Sequence, residues 1–404
     1  MKFLTWIIFL STVIFVVGCA RVAPTPLPAT EEFELPTPTE ALTPSPIPIS
    51  ITVPSITDSP TITENPTSIA YGPKDFPENI NPLTGLEVAD LELLNRRPIS
   101  VKVQLFPRGQ RPPWGVNNAD IVFDYYQNNG LTRLNAVFYG KDAEIVGPIR
   151  SARLFDANVL QMYKAILAFG GADPRILSKF RGYDFADRMI FEGYQNCPPM
   201  CRVDPEGFNF LVTDTAELSK YATEKGIPNE RQNLDGMSFN AQVPQGGQPS
   251  HQIYTRYSIS SYDRWDYDPS SGRYLRFQDT QEAHAEAEEV YGPLTDQLSN
   301  SQIVTDNLVI IFAITEFVYR SQSGSSEIVD VELEDSGDAL AFRDGQVFQV
   351  KWNRPKKDSV LYLTFQDGSL YPYKPGTTWY QILGKTSKIE QRGEGVYRIV
   401  FNTP

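Results

Sequence analysis

A proline- and threonine-rich segment, residues 22–75, limits where this chain can fold. It holds 12 of the 32 prolines in the sequence and almost no aromatic residues. Repeated Thr-Pro and Pro-Ser steps favour extended polyproline II structure, which has no buried core. At about 3 Å per residue, roughly 50 such residues could extend on the order of 150 Å. Residues 19–75 are therefore predicted to be a disordered stalk, and the folded region is expected to begin near Asn79.

The chain begins with a segment typical of an export signal. Met1 and Lys2 precede an apolar run, Phe3 to Val17, that is shorter than the about 20 residues a membrane-spanning helix needs. The run ends in Val16-Val17-Gly18-Cys19, which resembles the lipobox of bacterial lipoproteins. We expect residues 1–18 to be a signal peptide and the Cys19 thiol to carry the lipid as a thioether. An ordinary secretory signal is the alternative.

Lipidation and net charge together restrict the partners. Two or three lipid chains anchor a protein stably, so the predicted location is extracytoplasmic, held at the cell membrane by lipid on Cys19. The formal net charge of -13 argues against binding nucleic acid by charge. The sequence contains no phosphate loop, dinucleotide fingerprint or metal-ligand cluster, so no cofactor and no metal site are expected.

The two remaining cysteines, Cys197 and Cys201, are predicted to form a local disulfide bond. An even pair in an oxidising exterior favours a disulfide, and the three residues between them differ from the two of a redox motif. A zinc site would need about four ligands, and the chain has only two histidines. Free thiols remain the main alternative.

Strand and helix patterns divide the folded region into two predicted domains, residues 79–235 and 250–404, joined by a Gly-, Gln- and Pro-rich linker. The first domain is expected to mix helices with strands. Its β-branched and aromatic runs predict strands at Ile99–Leu105, Asp120–Tyr126 and Thr132–Tyr139.

Two helices are predicted in this first domain, at Ser151–Lys164 and Asp214–Lys225. The helical spacing of apolar residues continues from the first of these to Ile166, but Ala165–Phe169 can instead be interpreted as a buried strand. The second helix has the clearer signals: a capping-box pattern starting at Asp214 and a terminating Gly226.

The second domain is expected to be mainly antiparallel β. Asp344-Gly345 and Asp367-Gly368 are hairpin signals between strand runs. A helix is predicted only at Thr280–Val290, which is rich in Ala and Glu. The fold class is therefore α+β, and the strand runs are Gln252–Ile259, Tyr274–Phe277, Asn307–Phe317, Gln346–Trp352, Val360–Phe365 and Trp379–Leu383.

Several short motifs follow one another along the folded region: Asn81-Pro82-Leu83-Thr84-Gly85-Leu86, Arg97-Pro98, Arg111-Pro112, Ala119-Asp120-Ile121-Val122, Gly130-Leu131-Thr132-Arg133, Gly147-Pro148-Ile149-Arg150-Ser151-Ala152-Arg153, Tyr262-Asp263-Arg264-Trp265-Asp266-Tyr267-Asp268 and Pro375-Gly376-Thr377-Thr378-Trp379. In their order and number they resemble the YerB-like lipoproteins, a family with paired N- and C-terminal domains of unknown function (domain of unknown function 3048). The resemblance implies an exported, lipid-anchored protein of the cell envelope and supplies no established reaction.

The chain departs from the family pattern at two positions. Asp124 keeps the acidic residue that follows the Ala-Asp-Ile-Val motif, but Asn128 stands where a second acid is usual. Gly207-Phe208-Asn209 replaces a Pro-His-Asn step, so Asn209 is kept and the histidine is lost. If these groups form a catalytic set, this chain is expected to be impaired or altered.

Arginines supply the first candidate site. Arg150 and Arg153 flank Ser151-Ala152, and each guanidinium can bind a carboxylate or phosphate with two hydrogen bonds. With Arg133 and Arg111 nearby, they would form an anion pocket for peptidoglycan stem carboxylates or teichoic acid phosphates. The alternative is that these arginines pair with Asp120, Asp124 or Asp173 to hold the fold.

Carboxylates supply the second candidate. Asp124 and Asp173 could act as a pair in glycoside cleavage, although salt bridges or a solvated surface are the plainer interpretation. Trp265, Trp352, Trp379 and Tyr371 could stack on sugars, but in a β domain such residues more often form core.

These observations lead to two functional hypotheses. The first is a lipid-anchored envelope protein that binds cell-wall material or a wall-synthesis protein. The second is a wall-active hydrolase that uses Asp124 with Arg150 and Arg153. The sequence leaves open whether the protein is an enzyme.

Overall fold

The computed structural model describes residues 70–204, 210–324 and 326–402. The signal peptide, Cys19, most of the predicted stalk and Asn209 lie outside the described residues. No helix within the described ranges is both long enough and apolar enough to cross a membrane.

All three α-helices of the described chain belong to its N-terminal half, together with the first eight strands. The helices are α1 (Asp156–Tyr163), α2 (Pro174–Phe180) and α3 (Thr215–Glu224). The strands are β1 (Ala70–Tyr71), β2 (Ile99–Val103), β3 (Ile121–Asn128), β4 (Leu131–Phe138), β5 (Ile166–Phe169), β6 (Met189–Phe191), β7 (Met200–Arg202) and β8 (Leu211–Thr213).

The C-terminal half is built almost entirely of strands. Its strands are β9 (Phe239–Asn240), β10 (Gln248–Arg256), β11 (Tyr262–Asp268), β12 (Arg273–Asp279), β13 (Tyr291–Pro293), β14 (Thr295–Asp296), β15 (Ser301–Gln302), β16 (Val304–Thr305), β17 (Asn307–Arg320), β18 (Glu327–Glu332), β19 (Asp335–Arg343), β20 (Gln346–Arg354), β21 (Tyr362–Thr364), β22 (Thr378–Gly384), β23 (Lys388–Gly393) and β24 (Gly395–Val400). The predicted α+β class and the mainly antiparallel C-terminal half are confirmed.

One large mixed sheet runs through both halves in the order β6-β5-β2-β4-β3-β22-β17-β19-β20-β21. The halves join where β3 pairs in parallel with β22, with Ile121 opposite Thr378 and Tyr125 opposite Ile382. A second sheet has the order β23-β24-β10-β11-β12. The two predicted domains thus share a sheet, and the boundary drawn between them stays a prediction.

Strand alternation decides which side chains reach each face of the large sheet, because successive residues point to opposite faces. On β3, Ile121, Phe123 and Tyr125 pack with α1 and α2 in one core cluster. Val122 and Tyr126 pack on the other face, in the core cluster formed with the second sheet and α3. The large sheet therefore lies between a helical layer and a second layer.

The end of the predicted stalk is ordered. Ala70 and Tyr71 form β1, which pairs with β9 inside the segment predicted as a linker. Phe76 also packs edge-on against Phe239, with ring centroids 6.3 Å apart. The last residues of the predicted stalk therefore pack against the folded region, which the composition of the stalk did not indicate.

Helix predictions had mixed outcomes. Helix α3 is confirmed, with the Asp214 carboxylate accepting from the main-chain N–H groups of Ala216 and Glu217. Helix α1 begins at Asp156 rather than at the predicted Ser151, and the Asp156 carboxylate accepts from the N–H of Arg153 in the turn that precedes the helix. Residues 166–169 form strand β5, as the alternative interpretation proposed.

The helix predicted at Thr280–Val290 is wrong. Only a short 3-10 turn forms there, at Glu286–Glu288. The Thr280 N–H donates to the Val290 carbonyl and closes the segment as a loop. The Glu289 side chain of this loop pairs with Arg398 on β24 at 2.7 Å. Long-range ion pairs therefore outweigh the local helix preference of Ala and Glu.

Candidate functional site

A buried lysine lies at the centre of the most unusual polar group in the N-terminal half. Lys102, on β2, has a side chain with no solvent exposure. Its ammonium group donates to the Tyr125 hydroxyl, lies 4.0 Å from the centre of that ring and is 3.4 Å from Asp156 Oδ1. Burial lowers the pKa of Lys102 to about 7, although Asp156 opposes this shift. The amine is therefore close to its titration point near neutral pH.

Asp156 organises the groups around this lysine. Its Oδ1 accepts from the Tyr125 hydroxyl and from Asn135 Nδ2, each at 2.8 Å. Its Oδ2 accepts from the Arg153 N–H at 2.6 Å. Ser100 donates to Asn135 Oδ1 at 2.8 Å, so a continuous hydrogen-bond chain fixes the carboxylate. Such a satisfied network holds its members in one arrangement.

Three arginines lie beside this network, and we call Arg133, Arg150 and Arg153 the arginine cluster. Arg133 donates to the Ser151 carbonyl at 2.6 Å, and Arg153 donates to the Ala152 carbonyl at 3.0 Å. Burial lowers the pKa of Arg133 well below its usual value, and the charges of Arg153 and Arg150 lower it further. The guanidiniums are thus close enough to repel one another.

The polypeptide around the arginine cluster lies at the carboxyl ends of two parallel strands, β2 and β5. The Arg150 N–H donates to the Lys102 carbonyl, and the Gly170 N–H donates to the Arg150 carbonyl, each at 3.0 Å. Gly171 has φ 110°, and a Cβ there would meet no atom within 4 Å, so space lies open beside the cluster. Ligands bind preferentially beyond the carboxyl ends of parallel strands in open sheets.

The sequence-predicted residues separate into two groups. Arg133, Arg150 and Arg153 come together, as predicted. Asp173 lies near enough for its charge to oppose in part the lowering of the Arg153 pKa by burial, but it caps α2 and pairs with Arg175 at 2.8 Å.

The prediction that Arg111 lies beside the arginine cluster is wrong. It pairs with Asp279 at 3.1 Å and donates to the Leu105 carbonyl. Arg108 binds the same carboxylate at 2.7 Å. Arg111 therefore joins the N-terminal half to β12 and is already neutralised by a carboxylate.

Asp124 is also placed away from the arginine cluster. It follows Phe123 and precedes Tyr125 on β3, so it points to the face opposite Tyr125. There it is fully buried and pairs with Arg276 at 2.8 Å. Period-two alternation thus separates Asp124 from Arg150 and Arg153, contrary to the grouping suggested by the sequence.

The two cysteines and the tryptophans singled out in the sequence lie outside the arginine cluster. Cys197 and Cys201 form a disulfide bond. Trp265, Trp352 and Trp379 are buried core residues, in keeping with the plainer interpretation. In the described ranges no three His, Cys, Asp or Glu side chains are grouped so as to hold a metal ion.

Sequence reasoning missed Lys102, Tyr125 and Asp156. The sequence contains no signal for the lysine, because Ile99-Ser100-Val101-Lys102-Val103 alternates apolar and polar residues, a pattern that predicts a solvated position for Lys102. Nothing local indicated its partners, which come from β3 and α1 and meet it only in the folded chain.

Comparison with protein families gives two matches, in chain order. Residues 83–228 match the N-terminal domain, and residues 253–380 the C-terminal domain, of a protein of unknown function, DUF3048. Together they cover more than half of the chain. The chain belongs to the DUF3048 family. The YerB-like resemblance seen in the sequence is thereby confirmed.

A solved fold and a curated relative agree with this membership. The "Putative lipoprotein YerB" of Bacillus subtilis (strain 168) is 25% identical over an alignment of 328 residues, and the match covers 78% of this chain and 89% of the relative. The crystal structure of the YerB protein from Bacillus subtilis is 24% identical, with a TM-score of 0.61, and the match covers 75% of this chain and 96% of that one. The family description assigns no activity, so function must be argued from the site.

Proposed function

We propose that this DUF3048 protein is a lipid-anchored protein of the cell envelope that binds anionic cell-wall material through Arg133, Arg150 and Arg153. The observation that carries the proposal is the convergence of three guanidiniums beside buried Lys102. The chain as a whole is acidic, with a net charge of -13, so a local group of cations does not follow from its composition.

Charge balance supports an anionic ligand. In the described part of the chain, the side chains of Arg133 and Arg153 donate to main-chain carbonyls and to no carboxylate. Asp156 is the one carboxylate in direct contact with Lys102 there, and it is shared with Tyr125 and Asn135. A bound carboxylate or phosphate would offset the repulsion among the arginines and could accept charge-assisted hydrogen bonds.

Removal of one guanidinium should weaken wall binding. We expect Arg153→Gln or Arg133→Gln to lower the affinity of the full-length chain, purified in detergent, for isolated cell wall by about tenfold, or about 1.4 kcal/mol. Sedimentation with wall measures this, and wall stripped of teichoic acid separates phosphate from carboxylate ligands. The matched control is Arg392→Gln, which changes an exposed arginine on β23. No retention of the parent chain at moderate salt would rule out wall binding, and crosslinking would then test for a wall-synthesis protein.

The proposed anchor is tested separately at Cys19. We expect mass spectrometry of the membrane-bound protein to find a mature chain that begins at Cys19 and carries fatty chains. Cys19→Ser should release the protein from the membrane fraction, because a single thiol carries the anchor. An unmodified cysteine in a membrane-bound chain would contradict the proposal. The name of the curated relative, a putative lipoprotein, supports it.

The hydrolase hypothesis loses its support at Asp124. That carboxylate is paired with Arg276, and both side chains are fully buried. Asp173, the other proposed carboxylate, is engaged by Arg175. A binding function is therefore the better-supported proposal.

A further inference from the structure

Two exposed aromatic rings stand on an ordered loop close to the arginine cluster. Tyr194 is fully exposed, at 102%, and Phe191 at the end of β6 is 51% exposed. Large exposed rings are unfavourable in water unless they serve a contact, and single ones on mobile loops need no explanation. These two belong to a segment with many fixed contacts.

The loop, residues 192–202, is held by several independent bonds. The Cys197–Cys201 disulfide closes its second half. Asn196 donates to the Phe191 carbonyl at 2.7 Å and accepts from the Tyr221 hydroxyl on α3. Arg202 pairs with Glu192 across the base of the loop, with Nε 2.7 Å from Oε1. The rings are therefore presented on a backbone that is already ordered, which reduces the entropy lost when a ligand binds.

The same loop adjoins the arginine cluster through the end of β5. Phe191 packs on Phe169 with ring centroids 5.8 Å apart, and the Glu192 N–H donates to the Phe169 carbonyl at 3.0 Å. The next residue, Gly170, donates to the Arg150 carbonyl. The charges of Glu192 and Arg202 also act on the pKa of Arg150, which burial lowers. The end of β5 thus lies between the Phe191 ring and the main chain of Arg150, and Tyr194 follows Phe191 on the same segment.

We propose that Tyr194 and Phe191 together with the arginine cluster bind an anionic glycan. The rings would stack on the C–H faces of sugars, while carboxylates or phosphates on the glycan would bind the guanidiniums. An aromatic face carries partial negative charge and attracts C–H groups, which bear partial positive charge. The inference rests on the proposed function and specifies its ligand as a charged saccharide.

A membrane surface is the competing occupant of exposed rings. The net charge of -13 and Glu192 act alike on an anionic lipid and on an anionic glycan, so vesicle binding is measured as one outcome of the test. The buried tryptophans of the C-terminal half offer no alternative sugar surface, since Trp265, Trp352 and Trp379 are at most 3% exposed. The exposed rings beside the cluster remain the better sugar platform.

Calorimetry on the full-length chain in detergent tests this with three probes. The probes are an acidic oligosaccharide of alternating N-acetylglucosamine and N-acetylmuramic acid, chitotetraose as its neutral counterpart, and citrate as a sugar-free anion. We expect the acidic oligosaccharide to bind more tightly than citrate and much more tightly than chitotetraose. Tyr194→Ala and Phe191→Ala should each lower the affinity for the acidic oligosaccharide about tenfold and leave the affinity for citrate unchanged.

Control variants make the outcomes distinct. Arg153→Gln should weaken the binding of both anionic probes, and Ile389→Ala, which removes a 48% exposed apolar side chain on β23, should change the binding of neither. Wild-type oligosaccharide affinity in Tyr194→Ala and Phe191→Ala, with a loss in Arg153→Gln, would overturn the glycan inference and leave anion binding intact. Anionic probes that fail to bind, or bind without Arg153, would overturn both proposals. If the Cys19→Ser chain in detergent-free buffer bound phosphatidylglycerol vesicles, and Tyr194→Ala removed that binding without changing the affinity for the acidic oligosaccharide, the rings would be assigned to a membrane instead.

Discussion

Replacing Arg276 with methionine should lower the free energy of unfolding by about 3–5 kcal/mol, because it leaves buried carboxylates without their counter-charge. Arg276 is fully buried and contacts Asp124 at 2.8 Å and Asp263 at 3.3 Å. Its guanidinium also lies 5.0 Å from the ring centres of both Trp265 and Trp379. The side chain links the large sheet to the second sheet. Urea denaturation followed by tryptophan fluorescence measures the change.

The pH dependence of this loss provides an internal check. Burial raises the pKa of Asp263 to about 7, while the charge of Arg276 lowers it. A raised pKa means that the folded state holds the proton more strongly, so this contribution to stability is present at low pH and lost as the pH rises. Without Arg276 the folded state should hold the proton still more strongly. The loss in free energy of unfolding caused by Arg276→Met should therefore be smaller at about pH 5 than at about pH 8.

A surface ion pair gives the matched control for Arg276. Lys179→Met removes the partner of Asp330 in a pair whose side chains are both more than one-third exposed, and it should change stability far less. Equal losses in the two variants, or a loss in Arg276→Met that is independent of pH, would contradict the assignment of the buried pair as the source of the effect.

Replacing Asp156 with alanine should cost a similar amount, about 3–5 kcal/mol, and should also weaken wall binding. The change removes the acceptor for Tyr125, Asn135 and the Arg153 N–H. It also deprives buried Lys102 of the carboxylate that raises its pKa. The main chain at Arg153 would then lose its hydrogen bond to the Asp156 carboxylate. Chemical denaturation and wall sedimentation of the same preparation measure both effects.

Asp156→Asn separates hydrogen bonding from charge. It keeps a carbonyl acceptor of similar shape, so it should retain more stability than Asp156→Ala while still removing the charge beside Lys102. If both variants were as stable as the parent chain, the network would be incidental to the fold. If Asp156→Ala were unstable but bound wall with unchanged affinity per folded molecule, the network would be structural and separate from ligand binding.

Local chemistry was sufficient to predict many elements. Helix α3 has its start at Asp214 and its end before Gly226, where φ is 77°, because capping and a left-handed terminal residue act within one turn. The Asp344-Gly345 turn between β19 and β20 has positive φ at both residues, as a tight hairpin requires. The failed prediction at 280–290 involved residues whose partners lie about 100 positions away.

The candidate site was only partly accessible from sequence. Arg133, Arg150 and Arg153 were correctly grouped because two of them are neighbours in one motif. Asp124 was grouped with them wrongly, since the sequence did not show to which face of the sheet it points. Lys102 and Asp156 were missed because their meaning depends on contact between β2 and the start of α1.

The sequence by itself determined the α+β class, most strand positions, helix α3 and the family, because these depend on residue order and on interactions within a few positions. The tertiary structure alone decided which charges meet. It placed Lys102 against Asp156 on one face of the large sheet and Asp124 against Arg276 on the other. The physical reason is that burial multiplies the energetic consequence of a charge contact, while strand alternation and pairing between distant segments decide which contacts exist.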